Sequence, residues 1–289
     1  MAFFDIFLLE AVINGVLLGG LLALLALGLN LIFGVIDVVW ISYAELMMIG
    51  MYGIYFVHVD LGWPLALAML MGISLTALLG AGMHHFIIRP VLTAEPINQL
   101  LVTGGVLFFL QAVATVTFGI DFRNLGIRLP SVPLGDISIS MARLIAFAVA
   151  MVAIGATYVF LNRTHAGTAI RAISQDRGVM SLMGVNASQI YLLTSTLGGG
   201  LAGLAACLLV LQYDVHPAIG LPFGPITFLV CVLGGLGNLI GGFIAAFLFA
   251  QFISVGGFVL AIEWGYVLAF VFFIVMMFIR PQGIMFTRR

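Results

Sequence analysis

The chain has 289 residues, 63% of them hydrophobic and 7% charged, with a net charge of −1. An ordinary soluble domain carries about 25% charged residues, so a soluble fold of this size is excluded, and no basic patch exists to grip nucleic acid. Lysine is absent, which removes a Walker A loop and a nucleotide-hydrolysing site of that type.

Apolar runs of about 20 residues recur from end to end, each long enough to cross a bilayer as a helix. They are continuous and do not alternate in and out, which excludes a β-barrel. The expected class is all-α: a polytopic helical membrane protein of about eight to nine membrane segments. In chain order the crossings fall at 11–36, 38–58, 63–87, 98–120, 141–161, 188–213, 224–236, 239–258 and 262–280. Residues 224–236 are short for a full span at about 1.5 Å per residue, so they either re-enter or tilt about a hinge at Gly234, Gly235 and Gly237. The opening MAFFDIFLLE carries acid and no base, unlike a cleaved signal peptide.

Orientation rests on arginine. Arg89, the stretch Arg163–Arg177, Arg280, Arg288 and Arg289 go to the cytoplasm under the positive-inside rule. That leaves Arg123, Arg128 and Arg143 in or beside an outer loop at 121–140, near Asp121 and Asp136. The N-terminus is then outside and the C-terminus inside.

Ionisable groups within spans tend to face an interior or an aqueous path. Asp37 and Glu45 are the clearest; on one continuous helix they would lie about 12 Å apart along its axis. Asp37 suits the cytoplasmic interface. Glu45, deeper and beside Ser42 and Tyr43, either lines a route or is a hydrogen-bonded carboxyl that stabilises packing. His84 and His85 precede Arg89 at a span's end, with no carboxylate or Cys nearby in sequence, so an interfacial place suits them better than a metal. Asp214 and His216 stand in an outer loop before Pro217, while Glu263, Trp264 and Tyr266 open the last span as interface anchors. Cys207 and Cys231 lie in apolar runs and read as small buried residues. No nucleophile, base and oxyanion donor line up, so no catalytic residue and no metal site is assigned.

Gly15/Gly19, Gly199/Gly203 and Gly237/Gly241 have the four-residue spacing that lets helices approach closely in lipid. Gly198, Gly200 and Gly203 also spell GxGxxG, but no strand precedes them and no acid follows at about 20 residues; helix packing is the better account. Asn14, Asn30, Gln111 and Asn238 can bond helix to helix. The chain also looks internally duplicated into two weakly similar halves. Asn14–Leu31, Asp37–Glu45 and Leu46–Val57 are echoed by Thr194–Leu211, Tyr213–Pro225 and Ile226–Leu233, an arrangement common among transport folds.

One polar island, Arg163–Ser188, separates two long apolar stretches. On a helix, Ala166, Ala169, Ile170, Ile173, Met180 and Met183 share one side, with Arg171, Gln175 and Gly178 opposite and Leu182 out of place on the polar face. The spacing suits a short helix at a membrane surface, wet on one side and docked on the other; an ordinary charged loop is the alternative. Gly184 would end it as a C-cap, and Asn186 or Ser188 would cap the next helix.

Four stretches in order resemble the permeases of ATP-binding-cassette importers for branched-chain amino acids, the LivH/LivM type. They are Ile13–Ile36, Gly167–Val185, Pro217–Phe247 with its GGxG turn, and the terminal RPQGIMF at Arg280–Phe286. The resemblance implies one transmembrane permease domain over residues 1–289 in a bacterial cytoplasmic (inner) membrane. It implies a coupling helix at about 165–184, in which Gly167, Arg171, Asp176, Arg177 and Gly184 meet an ATPase subunit. Implied partners are a second, LivM-like permease, two LivG/LivF-like ATPases and an extracytoplasmic binding protein, with membrane lipid around them. ATP and Mg would belong to those ATPases, with no cofactor on this chain. Ser42, Tyr43, Glu45, Thr227 and Asn238 are the candidates for the substrate path.

The sequence departs from the family in two places. Trp40-Ile41-Ser42-Tyr43-Ala44 stands where the family usually has Asn-Phe-Ala-His-Gly, and Asn238 and Ile240 replace the commoner Ser and Pro. Where this passage borders the route, the first change, which removes two polar residues and brings in two aromatics, points to a bulkier or more apolar substrate, an aromatic acid included, beside branched-chain amino acids and related small carboxylates. The competing reading is a stand-alone secondary transporter or channel using Glu45.

Overall fold

The computed structural model describes residues 2–127, 129–134 and 137–285, with the side chains of 2–5, 134, 137, 177, 181, 182 and 262 left aside. Arg128, Asp136, Arg288 and Arg289, used above for orientation, lie outside the described residues, as does Phe286 of the terminal signature.

The helices run α1 (Ala2–Ile36), α2 (Tyr43–Tyr55), α3 (Leu65–Met83), a short turn α4 (Arg89–Val91), α5 (Pro96–Phe118), α6 (Met141–Arg163), α7 (His165–Gln175), α8 (Arg177–Leu182), α9 (Ala187–Leu209), α10 (Gly220–Gly234), α11 (Leu239–Val259) and α12 (Ile262–Ile279). Wider π-helical turns, Phe56–Asp60 and His84–Ile88, prolong α2 and α3. Six of these helical stretches are long and apolar enough to span a bilayer, and Gly220–Gly234 and Glu263–Ile279 are shorter apolar helices. The protein is a polytopic helical membrane protein.

Several boundaries differ from expectation: α1 already starts at Ala2, not 11, and α9 ends at Leu209, not 213. No helix begins at 38: Asp37 holds a left-handed backbone at φ 63°, and α2 starts only at Tyr43. Asp37 and Glu45 therefore do not share a helix. The loop at 121–140 contains a hairpin, β1 (Ser131–Leu134) antiparallel to β2 (Ile137–Ser140), with Ser131 opposite Ser140. Helix α10 starts at Gly220, four residues before the expected 224, and carries Pro225 inside it.

The duplication is an inverted repeat of α1–α2–α3 and α9–α10–α11. Helix α1 packs on α11 as α9 packs on α3, and α2 packs on α3 as α10 packs on α11. Helices α1 and α9 run antiparallel, since Gly28 meets Leu201 while Gly198 meets Ile32. A two-fold axis across the helices relates the halves, the arrangement in which transporters place their sites at the repeat interface. That interface is where α2 and α10 cross: Gly224 faces Ala44, and Gly220 faces Glu45.

The core follows this plan. Leu21–Ala26 on α1 and Leu46–Met48 on α2 are buried, as are Ala202, Ala205 and Ala206 on α9. Helices apolar all round belong in such a centre. The outer ring, α3, α5, α6 and α12, shows large apolar side chains such as Leu78, Phe108, Val152 and Phe278, which suits lipid or another membrane subunit. Cys207 and Cys231 are buried free thiols.

Candidate functional site

Helix α7 is built to sit across the end of the bundle. The Thr164 hydroxyl accepts from the Gly167 N–H at 3.0 Å, an N-cap that starts the helix. Gly167, Ile170 and Ile173 turn inward and are buried, while Arg171 and Gln175 are exposed. Gly167 is required by space: a methyl group there would collide with the Phe160 carbonyl and the Leu161 backbone at the end of α6. The predicted amphipathic face is thus real over this helix.

It does not continue to 184 as one helix. Asp176 has an extended backbone, and its carboxylate accepts from the N–H groups of Gly178 at 2.8 Å and Val179 at 3.0 Å. An aspartate that satisfies backbone donors ends one helix and caps the next, so α8 starts afresh. Met183 consequently points out, 75% exposed, instead of sharing the docked side. Gly184 does end α8: φ is +80°, and Val185 N–H closes back on the Met180 carbonyl, the Schellman pattern. The Asn186 side chain then caps α9. The side chains of Arg177 and Leu182 lie outside the described residues.

The second cluster lies where the half-repeats meet. Thr103 donates to the Val39 carbonyl at 3.0 Å and Trp40 Nε1 to Ser42 Oγ at 2.8 Å, tying down the chain before α2. The Tyr43 hydroxyl donates to the Gly198 carbonyl at 2.9 Å. Ser42, Tyr43, Glu45 and Thr227 are all buried. Ser42, Tyr43 and Glu45 stand at the start of α2 and Thr227 on α10, which packs against α2, and all four belong to the interior. Glu45 lies against the first residue of α10: a methyl group at Gly220 would stand 2.6 Å from its Oε1. Among the described residues, neither Glu45 oxygen, nor Thr227 Oγ1, nor Ser195 Oγ on α9 has a hydrogen-bond partner. Unpartnered buried polar atoms are rare and expensive, while the helix N-terminus beside Glu45 favours negative charge.

Asn238 stands apart from this cluster. It caps α11 through the Gly241 N–H at 2.9 Å, donates to the Met285 carbonyl at 2.7 Å and sits by Asn30 of α1. There it borders a cavity of about 340 Å³ together with Arg171 of α7. Gly234, Gly235 and Gly237 form the adjoining turn, with φ +98° at Gly235 and +80° at Gly237. Gly237 is therefore not one half of a helix-packing pair with Gly241, although it does touch Gly34 of α1.

His84 and His85, expected alike at the interface, part company in the structure. His84 is buried against Tyr191, with neither ring nitrogen hydrogen-bonded among the described residues, whereas its neighbour His85 is exposed; no pattern in the sequence separates the two. Asn14 does bond across helices, accepting from Arg143 of α6, while Asn30 accepts from the Gly237 N–H in the turn before α11. In the loops, Arg123 bridges Val215 and Asn124 donates to Asp214 at 2.6 Å, joining two segments about 90 residues apart.

Residues 11–277 match the family model described as branched-chain amino acid transport system / permease component. The high-affinity branched-chain amino acid transport system permease protein LivH of Escherichia coli (strain K12) is 28% identical, covering 97% of this chain and 96% of that protein. The counterpart BraD of Pseudomonas aeruginosa is 28% identical, covering 96% and 95%. A chain in the solved structure of PsaBC from Streptococcus pneumoniae in complex with Fab superposes with a TM-score of 0.53 over 93% of this chain and 91% of that one. Its sequence identity is 14%, so this likeness concerns the fold alone.

Proposed function

This chain belongs to the branched-chain amino acid transport system permease family, and from that premise we propose that it is the membrane permease subunit of an ATP-driven importer. Its cargo is a branched-chain amino acid or a related small carboxylate, aromatic acids included. The whole chain acts as one permease domain in a bacterial inner membrane, its N-terminus outside and its C-terminus in the cytoplasm. ATP and Mg are handled by two separate LivG/LivF-like ATPases. A second, LivM-like permease completes the path and an extracytoplasmic binding protein supplies the substrate.

The observation that carries this reading is α7. Its inner face is locked on α6 and α1 by Gly167, Ile170 and Ile173, while Arg171 stays exposed. A helix held rigidly below and open above suits the cleft of a motor subunit. Arg171, Asp176, Arg177 and Gly184 form the coupling surface. Arg171 also borders the cavity with Asn238, so a push on α7 reaches the Gly234–Gly237 hinge and then the α2–α10 crossing. Ser42, Tyr43, Glu45 and Thr227 are sealed in the described conformation and meet substrate only when that crossing shifts, a rigid-body change of the alternating-access kind.

The test is Arg171→Glu together with Gly184→Val, scored in cells carrying the complete system. Amino-acid uptake should fall about tenfold or more, the scale of an interface hot spot, with the variants still inserted in the membrane. Uptake equal to the parent's, or transport by the isolated chain with no ATPase present, would sink the reading in favour of a self-sufficient transporter using Glu45.

A further inference from the structure

At the end of the molecule opposite α7, a cavity of about 670 Å³ opens between α1, α6, α11, α12 and the turn after α9. Its mouth carries both signs of charge, Glu10 on α1 and Arg143 on α6. Its floor is apolar, made by Leu17, Leu18 and Leu21, and the distance along α1 from Glu10 to Leu21 is about 16 Å. The volume falls in the range of small-molecule sites, which join apolar walls to a few placed polar groups.

The two charges are kept apart. Arg143 Nη1 donates to Asn14 Oδ1 at 2.7 Å, which holds the guanidinium from one side and leaves its other N–H groups available. Among the described residues, neither a hydrogen bond nor an ion pair engages the Glu10 carboxylate. Glu10 is half-buried and Arg143 exposed, so water screens their attraction. Holding them apart above an apolar floor suits a ligand that brings its own pair of charges and an apolar tail.

We propose that this cavity is an outer acceptor site for an apolar α-amino acid, its ammonium on Glu10, its carboxylate on Arg143 and its aliphatic chain pointing along α1 toward Leu17. It would receive substrate before the α2–α10 crossing opens. The assignment rests on the amino-acid import reading above and adds to it a site on this chain.

The experiment is saturable binding of tritiated L-leucine to the full chain in nanodiscs, with uptake measured in parallel in cells carrying the complete system. Isoleucine should compete. Isoamylamine, which lacks the carboxylate, and 4-methylpentanoate, which lacks the amine, should each compete about tenfold more weakly or worse. Glu10→Gln and Arg143→Gln should each weaken leucine binding about tenfold or more, as expected for loss of a charge-assisted bond. The competition series uses only the parent protein, so it decides the matter even if a variant fails to fold. No saturable leucine binding, equal competition by the two half-molecules, or parent-like binding by both variants overturns the site. If leucine uptake by the parent system is intact, such a result leaves the import reading standing. Absence of leucine uptake in the parent system overturns that reading and the site with it. A phosphatidylethanolamine that co-purifies with the parent, is lost from both variants and blocks leucine would make the occupant a lipid and overturn the proposal.

Discussion

Where α3 crosses α9, backbone lies on backbone: a methyl group at Gly199 would stand 3.1 Å from the Gly80 Cα and collide with the Thr76 carbonyl, and one at Gly203 would stand 2.8 Å from the Ile73 Cα. At the related crossing of α1 and α11 side chains stand nearest, although a methyl group at Gly19 would also lie 3.2 Å from the Phe247 Cα. Gly15 faces the Gln251 amide and Gly19 the Phe247 ring, and farther out α1 and α11 help to line the cavity that holds Glu10 and Arg143. One repeat unit thus supplies two equivalent crossings, of which one is a clamp and the other borders an open space. In lipid, association depends on close packing and on polar bonds more than on apolar burial. The size of the residues at four or five positions therefore decides which crossing is rigid.

Substitutions at the two crossings should differ in that order. Gly199→Val should be the most damaging, destabilising by about 3 kcal/mol or more, because overpacking against main chain cannot be relieved by a rotamer change. Fluorescence-detected size exclusion would show loss of the monodisperse peak, and a parent-like profile would mean the crossing is looser than described. Asn238→Ala acts at the α7 end of the α1–α11 pair. It removes an N-cap and the bond to Met285, for a loss of about 1–2 kcal/mol readable as a lowered Tm in detergent. Gly15→Ala should be mildest, within about 1 kcal/mol, since the Gln251 amide that faces it is the end of a flexible side chain. If Gly15→Ala proved as harmful as Gly199→Val, the contrast between the two crossings would be gone.

Much of the site was legible in sequence for particular physical reasons. Ile170 and Ile173 sit three apart in a polar stretch, enough to declare a docked face. The glycine at 184 and the asparagine at 186 announced a helix end and the next helix start. The break at Asp176 was less visible, because whether an aspartate side chain turns back to its own backbone depends on a local competition that spacing does not report. Asn238 was grouped with Ser42 and Glu45 as a candidate for the path. The chain instead folds its turn back onto Asn30 and Met285, a meeting across more than 200 residues in one case.

Composition, hydrophobic run length and residue spacing by themselves determined that this is a multi-pass helical membrane protein with a charged, amphipathic interruption. Those properties are local sums along the chain, and a bilayer reads them directly. The relative inversion of the halves, the sealing of Glu45 against Gly220 and the separation of Glu10 from Arg143 were decided only by the tertiary structure. Each depends on which helix approaches which, and at what distance, and that is set by packing between residues far apart in sequence.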